Sequence, residues 1–227
     1  AGAEHALADV RLQAPVPEPP SVRDFFAYEE HVRAGLALVG REIPDAWHEI
    51  PVFYFSNPAS IYGPDDPVPK PADSAALDCE LEIAAVIGAE GIAGFTLFAD
   101  WSARDLQARE MTVGLGPAKG KDFATALGPC LVTPDEIADL GALTMIARVN
   151  GEEWSRGRFG TIHWSFAQMI AHVSRGETIY PGDVLGSGTV GGGCGLESDR
   201  YLKPGDVVEL NIEGIGALRN TVSARSG

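Results

Sequence analysis

Glu80 and Glu82 sit two residues apart inside "LDCELEIAAVIG" (77–88), a run dominated by residues suited to a protein interior. Side chains alternate across a strand, so the two carboxylates share one face. Leaving one buried and unpaired costs several kcal/mol, out of roughly 5–15 kcal/mol of net stability. The apolar continuation Ile83–Ile87 implies burial on both faces. The pair therefore faces water or a positive partner, and an E-x-E motif alone does not decide which.

Four other places carry groups capable of chemistry. Asp24 and His31 are seven residues apart in "SVRDFFAYEEHVRAGLALVG" (21–40). This stretch reads as one helix, with Ser21 and Asp24 as a capping box and Gly40 as its stop. Seven residues are two turns less about 20°, so Asp24 and His31 would share a face. Taken singly, Asp24 is a cap member and His31 a surface histidine beside Glu29 and Glu30. Asp100 ends the apolar strand "GFTLFAD" (94–100); Ser102 with Asp105 would cap the helix that follows, which leaves Asp100 without a structural task. "GPAKGKDFATALGP" (116–129) holds Lys119 and Lys121 on a glycine-rich backbone that can bring a lysine to an anionic group. "GSGTVGGGCG" (186–195) matches G-x-G-x-x-G on paper, but that fingerprint needs a helix N-terminus behind it. More glycine and then strand are expected instead, so no nicotinamide or flavin is expected. The loop reads as a pocket wall, with Thr189 as a polar contact and Glu197 just beyond.

The elements that must position these groups are mostly strands. Residues 1–20 read as a tail or linker ending in "APVPEPP", and 21–227 as one catalytic domain. Residues 51–71, rich in Pro, Asn, Gly and Asp, read as loop and short strand. "SARDLQARE" (102–110) reads as a short helix. "LTMIARVNGEEW" (143–154) is a strand turning at Asn150-Gly151. In "WSFAQMIAHVSRG" (164–176), Phe166, Met169, Ile170 and Val173 line one helical face. "YPGDVLGSG" and "KPGDVVELNIEGIG" each put Pro-Gly before a strand. The fold class is α+β, β-rich, with few short helices and none of the strand–helix alternation of a doubly wound sheet.

Composition narrows the partners. The chain of 227 residues is 45% hydrophobic and carries net charge −15. That charge disfavours nucleic acid and anionic membranes and suits a cation. No apolar stretch is long enough to span a membrane. Three cysteines without C-x-x-C make neither a disulfide framework nor a zinc knuckle, and fit a reducing cytoplasm.

In order along the chain, "LDCELEIAAVIG", "FADWSARDLQARE", "GKDFATALGP" and "PGDVLGSGTVGGGCGLE" resemble the fumarylacetoacetate hydrolase family, a resemblance running from about Ser21 to the C-terminus. It implies that family's own fold of mixed sheets in a β-sandwich or roll, and a homodimer. It implies a divalent metal held by Asp24, Glu80, Glu82 and Asp100. All-oxygen ligands suit Mg²⁺, Mn²⁺ or Ca²⁺. Lys121 would balance charge and contact substrate, with Gln107, Tyr54 and Thr189 as further substrate contacts. His31 would be the general base, oriented by Glu197. The implied reaction is hydrolysis of a C–C bond in a small β-diketo acid of the fumarylacetoacetate or acylpyruvate type. Water activated by His31 attacks, the metal stabilises the departing enolate, and Gln107 and Lys121 stabilise the oxyanion. The alternative is a hydratase or an oxaloacetate-type decarboxylase of 2-oxo acids with the same metal. Relatives also carry a longer connection than "VIGAEGIAGFTLF" (86–98) between the two strands there.

Overall fold

The computed structural model of the chain describes residues 5–224. Its strands are β1 (Val22–Phe25), β2 (Phe53–Ser56), β3 (Ile61–Tyr62), β4 (Pro67–Lys70), β5 (Leu77–Gly88), β6 (Gly91–Ala103), β7 (Thr125–Val132), β8 (Thr144–Val149), β9 (Glu152–Arg158), β10 (Val184–Gly186), β11 (Val207–Ile212) and β12 (Gly216–Ala224). The helices are α1 (Glu29–Ala37), α2 (Asp45–Glu49), α3 (Arg104–Met111) and α4 (Phe166–Val173). Seven strands form one mixed sheet in the order β2-β1-β10-β5-β6-β7-β3, and five form another in the order β4-β12-β11-β8-β9. The β-rich α+β class follows directly.

Alternation along β5 explains how a strand with carboxylates can be buried on both sides. Leu81, Ile83 and Ala85 join Leu97 and Ala99 of β6 in the main core, together with Met145, Leu210 and Leu218 from the other sheet. Ala84 and Val86 point the opposite way, into a smaller cluster with Val22, Phe98, Leu127, Val184 and Ala14. Glu80 and Glu82 share the parity of Ala84. They lie on the outer face of the seven-stranded sheet, continuing the row of that smaller cluster.

The β5–β6 hairpin turns through Ala89 and Glu90 alone, with Gly88 opposite Gly91. The short connection at 86–98 is thus a closed tight hairpin, with a register shift at Val86/Ile87 absorbing the twist. Asn150 and Gly151 both take positive φ, 52° and 83°, and close the β8–β9 hairpin as the Asn-Gly pair predicts. α4 carries the full capping box of Ser165 and Gln168 and buries Phe166, Met169 and Val173.

Two expectations fail. Residues 21–28 are not helical: Val22–Phe25 is a strand, paired parallel to β10 and antiparallel to β2, and all four of its residues are buried. Pairing with a strand on each side overrides the capping-box signal at Ser21 and Asp24. The helix begins only at Glu29. Nor do Ser102 and Asp105 cap α3. The N-cap is Ala103, without a side-chain bond, and Ser102 is the buried penultimate residue of β6. Asp105 reaches across to accept from the Ser74 hydroxyl and the Ala75 N–H, both at 2.7 Å. In the N-terminal segment, Ala14 is buried and packs against Gly63, where a Cβ would come within 2.6 Å of the Ala14 nitrogen. Among the described residues no helix is long and apolar enough to cross a membrane.

Candidate active site

Asp24, Glu80, Glu82 and Asp100 converge on the outer face of the seven-stranded sheet. All are buried, and one oxygen of each lies within 4.8 Å of the others. Register brings them together: Glu80 faces Asp100 across β5–β6, and Asp24 faces Gly186 across β1–β10. Gly186 is the reason there is room. A Cβ there would sit 2.9 Å from Asp24 Oδ1 and 3.1 Å from Glu82 Oε2.

The cluster is short of positive charge and of donors. Lys121 Nζ donates to Glu80 at 2.9 Å and also pairs with Asp100. Arg104 bridges Glu80, at 2.7 Å, and Asp78, at 2.8 Å. Burial opposes ionisation of Glu80, but Arg104, Lys121 and His31 hold its carboxyl well below the usual range. Burial and then repulsion from Asp24, Glu80 and Asp100 push Glu82 well above it. Asp24 and Asp100 are also raised by burial and by their neighbours, against the pull of Lys121. The Tyr54 hydroxyl lies 2.7 Å from both Asp24 Oδ2 and Asp100 Oδ2, and its single proton serves one of them. Asp24 Oδ1 and Asp100 Oδ1 are buried with no partner at all. Orphaned oxygens, mutually repelling carboxylates and a space cleared by glycine together fit one hard divalent cation.

His31, in the first turn of α1, is buried beside this cluster. Its Nδ1 is 2.7 Å from Glu197 Oε1, and its Nε2 is 3.6 Å from Glu80 Oε1. The imidazole thus spans the distance between Glu197 and the carboxylates. Burial opposes ionisation of Glu197, but its bond to His31 and the Gly192 N–H, at 2.9 Å, hold its carboxyl below the usual range. The seven-residue spacing of Asp24 and His31 therefore does not put them on one helical face: one sits on a strand, the other on the helix after it.

Each remaining residue singled out in the sequence has a place. Gln107 Oε1 accepts from Arg104 at 3.1 Å, and its backbone packs on Gly120. The buried Thr189 hydroxyl is 3.4 Å from Glu82 Oε1, and the Gly188 N–H donates to Glu82 at 2.8 Å. Thr189 and Tyr54 thus spend their hydroxyls on the carboxylate cluster. Lys119 stays at the surface. After the glycine loop comes a 3₁₀ turn (Gly195–Ser198) rather than strand. Its first N–H groups, of Gly195 and Leu196, donate to Asp78 at 2.8 and 3.0 Å. A side-chain carboxylate of the chain occupies that turn's N-terminus.

Three positioning residues escaped the sequence reading. Asp78 ties β5 to the turn that carries Glu197. Arg104 links Asp78, Glu80 and Gln107. Glu110 accepts from the N–H groups of Ala118, Lys119 and Gly120, at 2.9, 2.7 and 3.1 Å, and so fastens the loop that delivers Lys121. Only Asp78 left a legible signal: it has the same strand parity as Glu80 and Glu82, so one face carries three acids.

Four buried carboxylates on a mixed sheet, flanked by a histidine–glutamate pair, make a centre that could hold a hard cation beside a placed base. Residues 21–223 match the family model described as fumarylacetoacetate (FAA) hydrolase, C-terminal. The chain belongs to the fumarylacetoacetate hydrolase family. It is 36% identical over 230 residues to the human protein named oxaloacetate tautomerase FAHD2A, mitochondrial, covering 95% of this chain and 70% of that one. It is 38% identical over 186 residues to the 2,4-didehydro-3-deoxy-L-rhamnonate hydrolase of Sphingomonas sp. (strain SKA58), covering 76% of this chain and 65% of that one. The crystal structure of 5-carboxymethyl-2-hydroxymuconate delta-isomerase from Mycobacterium smegmatis superposes with a TM-score of 0.81 at 32% identity, over 100% of this chain and 87% of that one.

Proposed function

We propose that this chain interconverts the keto and enol forms of a small 2-oxo acid of the oxaloacetate type, with a divalent cation (Mg²⁺, Mn²⁺ or Ca²⁺) held by Asp24, Glu80, Glu82 and Asp100. The observation that carries the reading is the His31–Glu197 pair, at 2.7 Å, with the far nitrogen of the imidazole directed at the carboxylates. Glu197 accepts the Nδ1 proton and so fixes the tautomer in which Nε2 is the free base. Nε2 takes a proton from the carbon next to the oxo group. The electron pair of that C–H bond becomes the C=C bond, and the oxo oxygen takes up the negative charge and then a proton. A cation held by those four carboxylates would supply Lewis acidity for that negative charge. Lys121 adds fixed positive charge, since the carboxylates of Asp100 and Glu80 hold its ammonium protonated despite burial. A tautomerase needs a placed base and charge stabilisation but no second reactant, and the human relative is named for this activity.

The second reading is C–C hydrolysis of a β-diketo acid. There His31 deprotonates water, the oxygen adds to a carbonyl, and the C–C bond breaks with its electrons left as an enolate. The Sphingomonas relative, named as a hydrolase, favours it. The purified chain with Mg²⁺ is given oxaloacetate and, separately, an acylpyruvate. Faster keto–enol equilibration of oxaloacetate by enol absorbance, without pyruvate formation and with the acylpyruvate intact, is the expected result. Pyruvate from oxaloacetate would establish a decarboxylase. Acylpyruvate cleavage without tautomerase activity would establish the hydrolase.

A further inference from the structure

Glu29, His48 and His163, none of them part of the site above, meet at the surface with one ligand atom of each within 4.8 Å of the others. They come from three elements: the first residue of α1, the last turn of α2, and the loop between β9 and α4. The two imidazoles stand edge to face at 5.5 Å and flank the ring of Trp47, at 4.9 and 4.8 Å. Trp47 is buried and donates its indole N–H to the Phe26 carbonyl at 2.7 Å. The His163 N–H donates to the Ala27 carbonyl at 2.9 Å, and the Trp164 indole to the Trp47 carbonyl at 3.1 Å. Both histidines are therefore carried by backbone already tied to the segment that leads into Glu29. Arg33, one turn on, pairs with Oε1 of Glu29, and Oε2 takes no hydrogen bond among the described residues.

Two imidazoles and one carboxylate are a ligand set for Zn²⁺ and its neighbours, with a fourth position open to water. A hard ion such as Mg²⁺ prefers oxygen and does not compete well there. The chemistry is thus distinct from that of the all-carboxylate cluster. We propose that Glu29, His48 and His163 form a second metal site, for a zinc-like transition-metal ion, whose occupancy ties the start of α1 to α2 and to the loop before α4. Two residues after Glu29 comes His31. Any effect on turnover rests on the role given to His31 above, whereas binding itself does not.

The test uses the full chain with excess Mg²⁺, titrated with Zn²⁺ in competition with a chromogenic chelator. One zinc per chain is expected in the wild type. A His48→Gln/His163→Gln double variant should bind it more weakly by more than the roughly 10–100-fold that outer-shell partners are worth. Its unchanged melting temperature without metal would show that its fold is intact. Glu82→Ala, which empties the carboxylate cluster on the reading above, should still take up this zinc, so failure of one site is distinguishable from failure of the other. Amides of residues 30–33 should exchange more slowly with zinc in the wild type only. Equal zinc affinity in the wild type and double variant, or no zinc uptake by the wild type, would overturn the site. Uptake without slower exchange at 30–33 would overturn the tie to α1.

Discussion

At the scale of single residues, the reading makes His31 a mover of protons and not a ligand. His31→Ala should lower turnover by about 10²–10⁴, the worth of a positioned base, while metal content and melting temperature hold. Glu197→Gln should also lower it, and the double variant should be little worse than His31→Ala, because residues acting as a unit are non-additive. Full activity in His31→Ala would refute the assignment. Gly186→Ala tests the cavity itself. The added methyl would press on Asp24 and Glu82, at 2.9 and 3.1 Å. Loss of metal by elemental analysis, in a protein of normal far-ultraviolet circular dichroism, is the expected outcome; full metal occupancy would place the ion elsewhere. Glu80, Glu82 and Asp100 stood out by residue type and place, and their grouping with Asp24 came from the family resemblance. Gly186 was not legible, because the need for a missing side chain appears only once β1, β10 and β5 are aligned. Arg104 and Glu110 were illegible for a similar reason: their partners are backbone groups and acids brought close by the fold.

Among elements, the long strands declared themselves, whereas β1 and the true start of the first helix did not. β5 was readable end to end, since its apolar run is long and bounded. The hairpin at Asn150-Gly151 followed from turn chemistry, whereas the tight turn after Gly88 was visible in the sequence only as an unusually short connection. Residues 21–28 failed because a capping box is a local signal, whereas β1 is made by partners some 30 and 160 residues away. The loop carrying Lys121 also takes its shape from a side chain outside it, eight to ten residues away. Its geometry depends on Glu110: burial opposes ionisation of its carboxyl, but the three backbone N–H groups and the charge of Lys119 together hold it below its usual range. A depressed carboxylate stabilises the fold above its unfolded pKa, and that contribution fades as pH falls through its folded pKa. The amides of Ala118–Gly120 should therefore stay protected from exchange near neutral pH and lose protection on acidification below about pH 4. Glu110→Gln should lose part of it at every pH, with turnover reduced and metal content kept. Unchanged protection in Glu110→Gln would show that the loop holds itself.

Over the whole molecule, the carboxylate cluster fastens strands that are far apart in sequence: Asp24 from β1, Glu80 and Glu82 from β5, Asp100 from β6. In a chain of net charge −15, four buried acids in mutual repulsion are a standing cost to the folded state. A cation that binds only the folded chain reverses it, adding about 2.7 kcal/mol at a hundred times its Kd. For a domain of this size each kcal/mol shifts Tm by roughly 2–4 °C, so saturating Mg²⁺ or Mn²⁺ should raise Tm by about 5–11 °C. Sodium chloride at equal ionic strength should do much less, because buried charges are poorly screened. Glu82→Gln separates the two effects. It removes a carboxylate that burial and the charges of Asp24, Glu80 and Asp100 all oppose, so without metal the variant should melt at or above the wild type. It also removes a proposed ligand, so added metal should leave its Tm nearly unchanged. A wild type indifferent to Mg²⁺, Mn²⁺ and Ca²⁺ alike would mean that protons and Lys121 suffice to settle the cluster, and the metal would fall from the account.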